Sequence, residues 1–583
     1  MKPKIFLLSC LSFIIFNSSF IIGTVRYVSK TGSSTPPYTT WETAADSIME
    51  CINISVFGDT IYVANGTYKE QVVMIPGLSL IGAGMDSCVI DTRELTLTSE
   101  FFTVHGFDNS YLSNFKIFTY DVQNGSGILI DGGLNSVYKF CEINEAYFGF
   151  AIFSSAQNNP LVYQNMIKTV SDGIICFGSP LISENIIYAH GNGLVSQINS
   201  SPTYINNIIH CADCYLGFYD ALGFISKLES NIFYRTGTES GDGAFQSYGN
   251  DSIINNVVYG IEVGWDHGLF GVGTIAANNH FQNVNTVLVY DQIAGSPQTF
   301  QYNNLWDYET ASLNISIDST NMYSDPMFAN PDSLDFHLQK YSPLIDAGDP
   351  TILDKDGTRS DIGLYGGPYG EQYHYIDLAP RTPINLTATL DSLTVGLTWN
   401  KNTEADFNHY NVYRDTTKNF QIDSTNLFLS TDRNNLIDFL PDYLEKIYYK
   451  ITAIDNQGNE SEPSEEVGFI LTSVTDHQQT ISDYRLYQNY PNPFNPSTKI
   501  SYRLKERGYV KLYVYDIKGE LISVLVNKTQ EAGFYEVEFV GNGLPTVQNN
   551  SDLASGIYIY QIMVKNENNI PVFTDMKKMI YLK

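Results

Sequence analysis

The sequence predicts an all-β chain: a right-handed parallel β-helix followed by two β-sandwich domains. Three observations predict it. First, between about residue 110 and residue 310 a polar pair ending in Asn, then two apolar residues, recurs roughly every 20 to 27 residues. The copies are LSNFKI (Asn114), YQNMI (Asn165), SENII (Asn185), INNII (Asn207), ESNIF (Asn231), INNVV (Asn256), ANNHF (Asn279) and YNNLW (Asn304), with Cys141 of FCEI filling the one gap. Second, Gly127, Gly149, Gly173, Gly193, Gly217, Gly243 and Gly268 keep step with that row, each beside a short apolar pair or triplet. Third, the apolar pieces (IIY, IIH, VVY, IIC, IFY) are short and β-branched or aromatic, and Asn, Gly and Pro bound them.

A period in this range means a solenoid whose copies stack because none can bury its apolar face alone. Helical repeats need apolar spacing of three and four over longer segments. Leucine-rich repeats would carry a Leu frame, whereas this chain prefers Ile, Val, Phe and Tyr. A parallel β-helix with about three short strands per coil remains. Asn suits its turns because it tolerates left-handed dihedrals and its amide can bond both backbone and the next Asn in a stack. Gly marks sharp bends. Pro160, Pro180 and Pro202 each stand five residues before their Asn, where a fixed φ starts a strand.

At 583 residues the chain is too long for one ordinary core. Its net charge is −30, most of it between residues 24 and 376, which argues against nucleic acid and anionic membranes as partners. Lys2 and Lys4 precede an apolar run from Ile5 to Phe16, so residues 1–23 read as an export signal. No later segment has 18 consecutive apolar residues, so nothing else is expected to span a membrane. Six cysteines follow the signal: Cys51, Cys88, Cys141, Cys176, Cys211 and Cys214. They are expected as buried thiols, or as one local disulfide at Cys211-Ala-Asp-Cys214.

Residues 25–84 give a strand, a helix near Trp41 to Ile54, then GDTIYVANGTY with a turn at Asn65-Gly66. This resembles the N-terminal cap of secreted bacterial β-helix proteins of the pectate-lyase-like superfamily. Residues 325–367 (DPMFANPDSLDFHLQKYSPLIDAGDP onward) resemble the closing segment of the same proteins, in which DFHL and SPLIDAG add the last strands. The β-helix with its cap is thus expected over residues 24–376. Residues 380–471, with LTVGLTWN (Trp399), HYNVYRD (Tyr410, Tyr413) and YYKITAIDNQGNESEPS (Tyr449), resemble a fibronectin type III sandwich. Residues 484–583 open with YRLYQNYPNPFNPSTKISYRL and end with MKKMIYLK. They resemble the C-terminal sorting domain of the type IX secretion system, which implies delivery to the outer cell surface or release.

Candidate chemistry lies on the residues before the Gly row: Asp172, Asn192, Leu216, Asp242 and His267, with Asp266 beside the last. Coils stack at about 4.8 Å, so equal register one coil apart means contact. On this count Asp242 and Asp266/His267 are neighbours, and with Asp172 they are the candidate catalytic groups. A glycosidase needs two carboxyls about 5 to 9.5 Å apart. His190 and Asn192, with Lys227 and Arg235 flanking the Asn231 strand, are candidate substrate contacts. The competing reading is that Asp or Asn before Gly is turn chemistry, repeated because turns repeat. Pectin hydrolases of the resembling superfamily carry a double-Asp motif, Gly-His-Gly and a late Arg-x-Lys. This chain has only SDG at Asp172, HGNG at His190 and DHG at His267. A calcium-dependent lyase would need more base than Lys139, Lys168, Lys227 and Arg235 supply. Asp354, Asp356 and Asp361 resemble the start of a calcium loop without its twelfth-position Glu, which makes calcium the one candidate cofactor. The expected function is binding of extracellular polysaccharide, with its processing left open; a non-catalytic adhesin or structural surface protein is the alternative, and a calcium-dependent polysaccharide lyase a further one.

Overall fold

The structure, a computed structural model, describes residues 23–96, 101–119, 125–155, 158–211, 216–220, 225–235, 243–267, 273–290, 299–313, 317–391, 394–440, 446–470, 483–541 and 553–582. At residues 266–267, 289–290 and 313 it describes the main chain alone. Residues 1–22 of the proposed export signal (residues 1–23), and Cys214, lie outside these residues. The chain divides into two compact units, one ending at Phe469 and the next beginning at Ile470.

The first unit starts as a parallel β-helix with three faces. The first face is a twelve-stranded parallel sheet, from Val25–Val28 through Leu181–Ser183 to Thr299–Gln301. The second holds strands such as Met166–Thr169, Ile186–Ala189 and Ile208–His210, the third Phe148–Phe153, Ile174–Cys176 and Leu194–Ser196. In the last coils His280–Tyr290 and Asn304–Leu313 each run through both faces. Pro160 and Pro180 each immediately precede a first-face strand, and their carbonyls accept the N–H of the next coil.

The expected double role of Asn is divided between two adjacent positions. Left-handed φ falls on the residue before the repeat Asn: Gln164, Glu184, Asn206, Ser230, Asn255 and Asn278 have φ of 55–58°. Asn114 belongs to this row, at 65°, and Phe115 behind it occupies the stack position. The Asn itself turns inward. Asn165, Asn185, Asn207, Asn231, Asn256, Asn279, Asn303 and Asn321 form one buried column, so Asn303 and not Asn304 is the repeat member. Each amide donates one hydrogen to the next Oδ1, for example Asn207 to Asn231 at 3.0 Å, and the other to the preceding coil, Asn207 to the Ile182 carbonyl at 2.9 Å. Each Oδ1 also accepts the previous Asn main-chain N–H, at 2.9–3.0 Å. No polar atom of the amide is left over, which is what allows it inside.

The Gly row needs a correction. Pairing of Leu216 with Gly243 and of Phe245 with Trp265 makes Ala244 and Gly264 the members after Gly217, in place of Gly243 and Gly268. Close approach of successive coils sets the residue type: a Cβ at Gly193 would lie 2.5 Å from Ile209 Cγ2 and 2.7 Å from the Gly217 carbonyl oxygen.

The N-terminal helix is shorter than expected, Ile48–Ile52, because residues 41–43 form a turn and Ala45 bridges Val28 of the first strand. Glu70 caps it, accepting from the N–H of Ile48 and Met49 at 2.8 and 2.9 Å. The closing segment adds no coil. Asp335–Leu338 pairs antiparallel with Phe328–Asn330, and Phe328, Phe336, Leu338, Leu344 and Ile362 pack on Ile232, Tyr234 and Val257 of the second face. The apolar outer surface there needs a cover, which continued stacking would not provide. Cys51, Cys88, Cys141 and Cys176 are free buried thiols, each pushed up to about 12, chiefly by burial. Cys211 is buried too.

Residues 387–470 form antiparallel sheets of three and four strands. Trp399 and Tyr410 meet edge to face at 5.3 Å in its core, and Tyr413 and Tyr449 are buried there. The second unit also has sheets of three and four strands. Phe494 of the NYPNPFNPST stretch is buried in its core, and bonds with Ile580 and Leu582 tie it to the C-terminal strand.

Inside the solenoid Asp251 accepts from Ser226 N–H at 2.8 Å and Ser247 Oγ at 2.6 Å, and burial raises it to about 6. An acid raised in the folded state holds its proton there and loses it in the unfolded chain, so the stability Asp251 contributes is full below about pH 4 and is lost as pH rises through about 6. Chemical denaturation across this pH range is expected to show a loss of stability in the wild type that Asp251→Asn reduces. Asn207→Ala strands four hydrogen-bond partners and is expected to cost about 3–5 kcal/mol by the same measurement.

Candidate functional site

The predicted turn residues meet as register requires, and their chemistry is that of a turn. Asp172 and Asn192 lie on successive coils, and Asp172 Oδ1 accepts both Asn192 N–H (2.7 Å) and its Nδ2–H (3.0 Å). Burial is the largest influence on the Asp172 carboxyl and raises it. His190 Nδ1 lies 2.8 Å from the Thr169 carbonyl, which makes it the protonated nitrogen. These groups hold one coil to the next.

Lys227 and Arg235 do not converge, and Asp266 and His267 are placed by their main chain alone. Asp242 lies outside the described residues. The main chain of Asp266 pairs with Gln246 and Val289, and that of His267 with Ser247 and Tyr290. Gly243 is level with Val263 and Asp266 with Gln246, a register five residues from the one the Gly count implied. Lys227 is exposed on the first face, whereas Arg235 follows the second-face strand Ile232–Tyr234 beyond the Asn corner. The acidic loop is used locally. Asp354 accepts from Asp361 N–H and Gly367 N–H, Asp356 from Thr358, and Asp361 from Asp346 N–H and the Tyr375 hydroxyl at 2.8 Å each. Their oxygens are not gathered within 4.8 Å of one another.

Two concave surfaces emerge instead. One is a groove of about 460 Å³ on the third face, lined by apolar side chains with His105 and Ser126 as its polar members. Phe153 and Phe177 stack along it at 4.6 Å with planes 8° apart. The other is a cleft of about 620 Å³ where the last coil meets the first antiparallel module. Trp306, Tyr308 and Tyr323 line its solenoid side with Asp307, while Arg381, Asn400, Lys401 and Asn402 line the other. Its size is that of a small-ligand site, and it offers aromatic faces together with polar groups.

The walls of this cleft are tied together. Buried Asp325 of the solenoid bonds Arg381 and Thr403, and Arg381 Nε donates to buried Glu404 at 3.1 Å. Asn402 N–H donates to the Tyr410 hydroxyl at 2.6 Å and its Nδ2 to the Arg381 carbonyl at 2.8 Å. The guanidinium is therefore committed to the joint. Lys401 and Asp307 are the exposed charges at the opening.

Sequence reasoning missed the cleft aromatics, although a signal existed. The third residue of each second-face triplet forms one row: Tyr188, His210, Tyr234, Tyr259, Gln282 and Trp306 stack in register. Strand alternation, applied to IIY, IIH and VVY, places that residue outside. Tyr323, Arg381 and Lys401 carry no such signal, because the fold alone brings them to Trp306.

No family model matches the chain, and no curated protein matches it. Among solved structures it is similar to the protein XylC, solved with xylose (10% identity, 76% of this chain and 100% of that one, TM-score 0.37). It is also similar to the catalytic unit of an α-1,3-glucanase from Streptomyces thermodiastaticus (14% identity, 45% and 60%, TM-score 0.31). A third is the spore cortex lytic enzyme SleM of Clostridium perfringens (22% identity, 18% and 32%, TM-score 0.13), of which the chain spans about a third. Likenesses at these scores carry no inference about activity.

Asp172→Ala is expected to lower stability by about 1–3 kcal/mol in denaturant, through loss of its bonds to Asn192, while ligand binding by the folded protein stays unchanged.

Proposed function

We propose that this is an exported β-helix protein that binds extracellular polysaccharide at the cleft between its last coil and its first antiparallel module. The observation that carries the reading is the pairing of Trp306, Tyr308 and Tyr323 with Asp307, Lys401 and Asn402 around one opening. Aromatic ring faces take up the C–H faces of pyranose rings, and the polar groups answer the hydroxyls. The stacked Phe153 and Phe177 offer a second aromatic platform on the third face. The described part of both surfaces holds no paired carboxylates at glycosidase spacing, which favours binding, as an adhesin does, over turnover. Catalysis by Asp242, Asp266 and His267 is the competing reading.

Delivery rests on the resemblances of the chain ends. Residues 1–23 are read as the export signal and residues 484–583 as the type IX sorting domain, giving a surface-displayed or released protein. No helix among the described residues is long and apolar enough to cross a membrane.

On a panel of immobilised polysaccharides the intact protein is expected to be retained without releasing new reducing ends. Trp306→Ala/Tyr323→Ala is expected to weaken retention at least tenfold. Full retention by that variant refutes the site, and turnover lost in Asp242→Asn/Asp266→Asn moves the function to catalysis. Deleting residues 484–583 is expected to trap the chain in the periplasm, as fractionation would show; normal surface delivery refutes the sorting claim.

A further inference from the structure

Three carboxylates meet where the solenoid hands over to the antiparallel module, away from the acidic loop singled out in the sequence. Asp377 lies in the connecting segment, Asp406 just before strand Phe407–Asp415, and Asp455 at the end of strand Lys446–Asp455. The two strands are paired, Phe407 opposite Asp455, so the fold itself brings Asp406 and Asp455 to one end of the sheet. One oxygen from each of the three acids lies within 4.8 Å of the others.

Like charges this close need a positive partner. Among the described residues none of the three forms an ion pair: the nearby Arg381 is taken by Asp325 and Glu404. Asp455 is held in place by its own turn, Oδ1 accepting from Gln457 and Asn459 N–H and Oδ2 from Asn459 Nδ2. That leaves a lone pair on Oδ2. Asp406 is the telling residue. It is only 6% exposed, its carboxylate takes a hydrogen bond from its own N–H and none from any other described residue, and it faces the other two acids. A carboxylate this enclosed, with one donor for two oxygens, is completed by a proton or a metal ion.

We propose that Asp377, Asp406 and Asp455 bind one Ca²⁺ ion that pins the connecting segment to the antiparallel module. The ligands are all hard oxygens. At Ca²⁺–O distances of 2.3–2.6 Å two ligands of one ion lie up to about 5 Å apart, which the spacing meets as it stands. Mg²⁺, at about 2.1 Å and with strict octahedral geometry, would require the three to close in. Water and main-chain carbonyls complete the shell. Asp377 is exposed, so the ion has a way in. An ion here would stiffen the joint beside the Trp306 cleft without entering it, so the proposal stands apart from the glycan reading.

The test is calcium titration of the full chain after chelation, by calorimetry and equilibrium dialysis. One ion per chain is expected, with a Kd at or below the 10⁻⁴–10⁻³ M of extracellular modules. Asp377→Asn, an exposed change that leaves folding alone, is expected to weaken Kd at least tenfold, and Asp377→Asn/Asp406→Asn to abolish uptake. Asp354→Asn/Asp356→Asn is expected to leave Kd unchanged, and calcium to protect residues 371–386 from protease. No uptake at several millimolar calcium, an unchanged Kd in Asp377→Asn, or loss confined to Asp354→Asn/Asp356→Asn would each overturn the proposal.

Discussion

The later coils of the solenoid depend on the column of buried Asn side chains that runs from Asn165 to Asn321. A solenoid this lightly charged inside has few directional interactions, and apolar packing alone fixes no spacing between coils. Each Asn supplies two donors and an acceptor used twice, all directed along the axis, and so sets both the distance and the rotation of one coil against the next. The neighbouring left-handed residue makes the corner that turns the amide inward. Stacking of Ile, Val and Phe then follows, because residues held at equal register present equal faces.

That order of causes explains why one part of the fold was legible in the sequence and another was not. The column shows as a period because every copy needs the same amide at the same corner. The substitutes are legible too: Cys141 stands in the column as a small buried side chain whose N–H bonds Asn165. The Gly row is less reliable, since its requirement is only a lack of bulk, and Ala244 meets it as well as Gly does. Counting Gly243 and Gly268 therefore shifted the register, and with it the place assigned to Asp266. The doubled Asn303-Asn304 is ambiguous in the sequence for a similar reason, and only the hydrogen bonds of Asn303 decide it.

Residues with chemistry were harder to read than residues with a structural task. Asp172, His190 and Asn192 are polar, repeated and near one another, as members of a site would be. Their partners are main-chain groups of the next turn, which a sequence does not display. The cleft, in contrast, joins a repeat position (Trp306), a residue past the last repeat (Tyr323) and a second module (Lys401), separated in the chain by up to about a hundred residues. Nothing periodic connects them. The packing of the closing segment had the same character, since its apolar residues cover a face that another part of the chain creates.

The Asn column also changes what the coils are free to vary. Sequence separation between successive members is 20, 22, 24, 25, 23, 24 and 18 residues, yet every amide contact is 2.9–3.0 Å. Differences in coil length are therefore taken up at the other corners and never transmitted along the axis. The column works as a keyed spine on which each coil is mounted separately, so loops elsewhere can be lengthened or exchanged without disturbing the coils above and below. A scaffold of this kind can acquire a new surface one loop at a time.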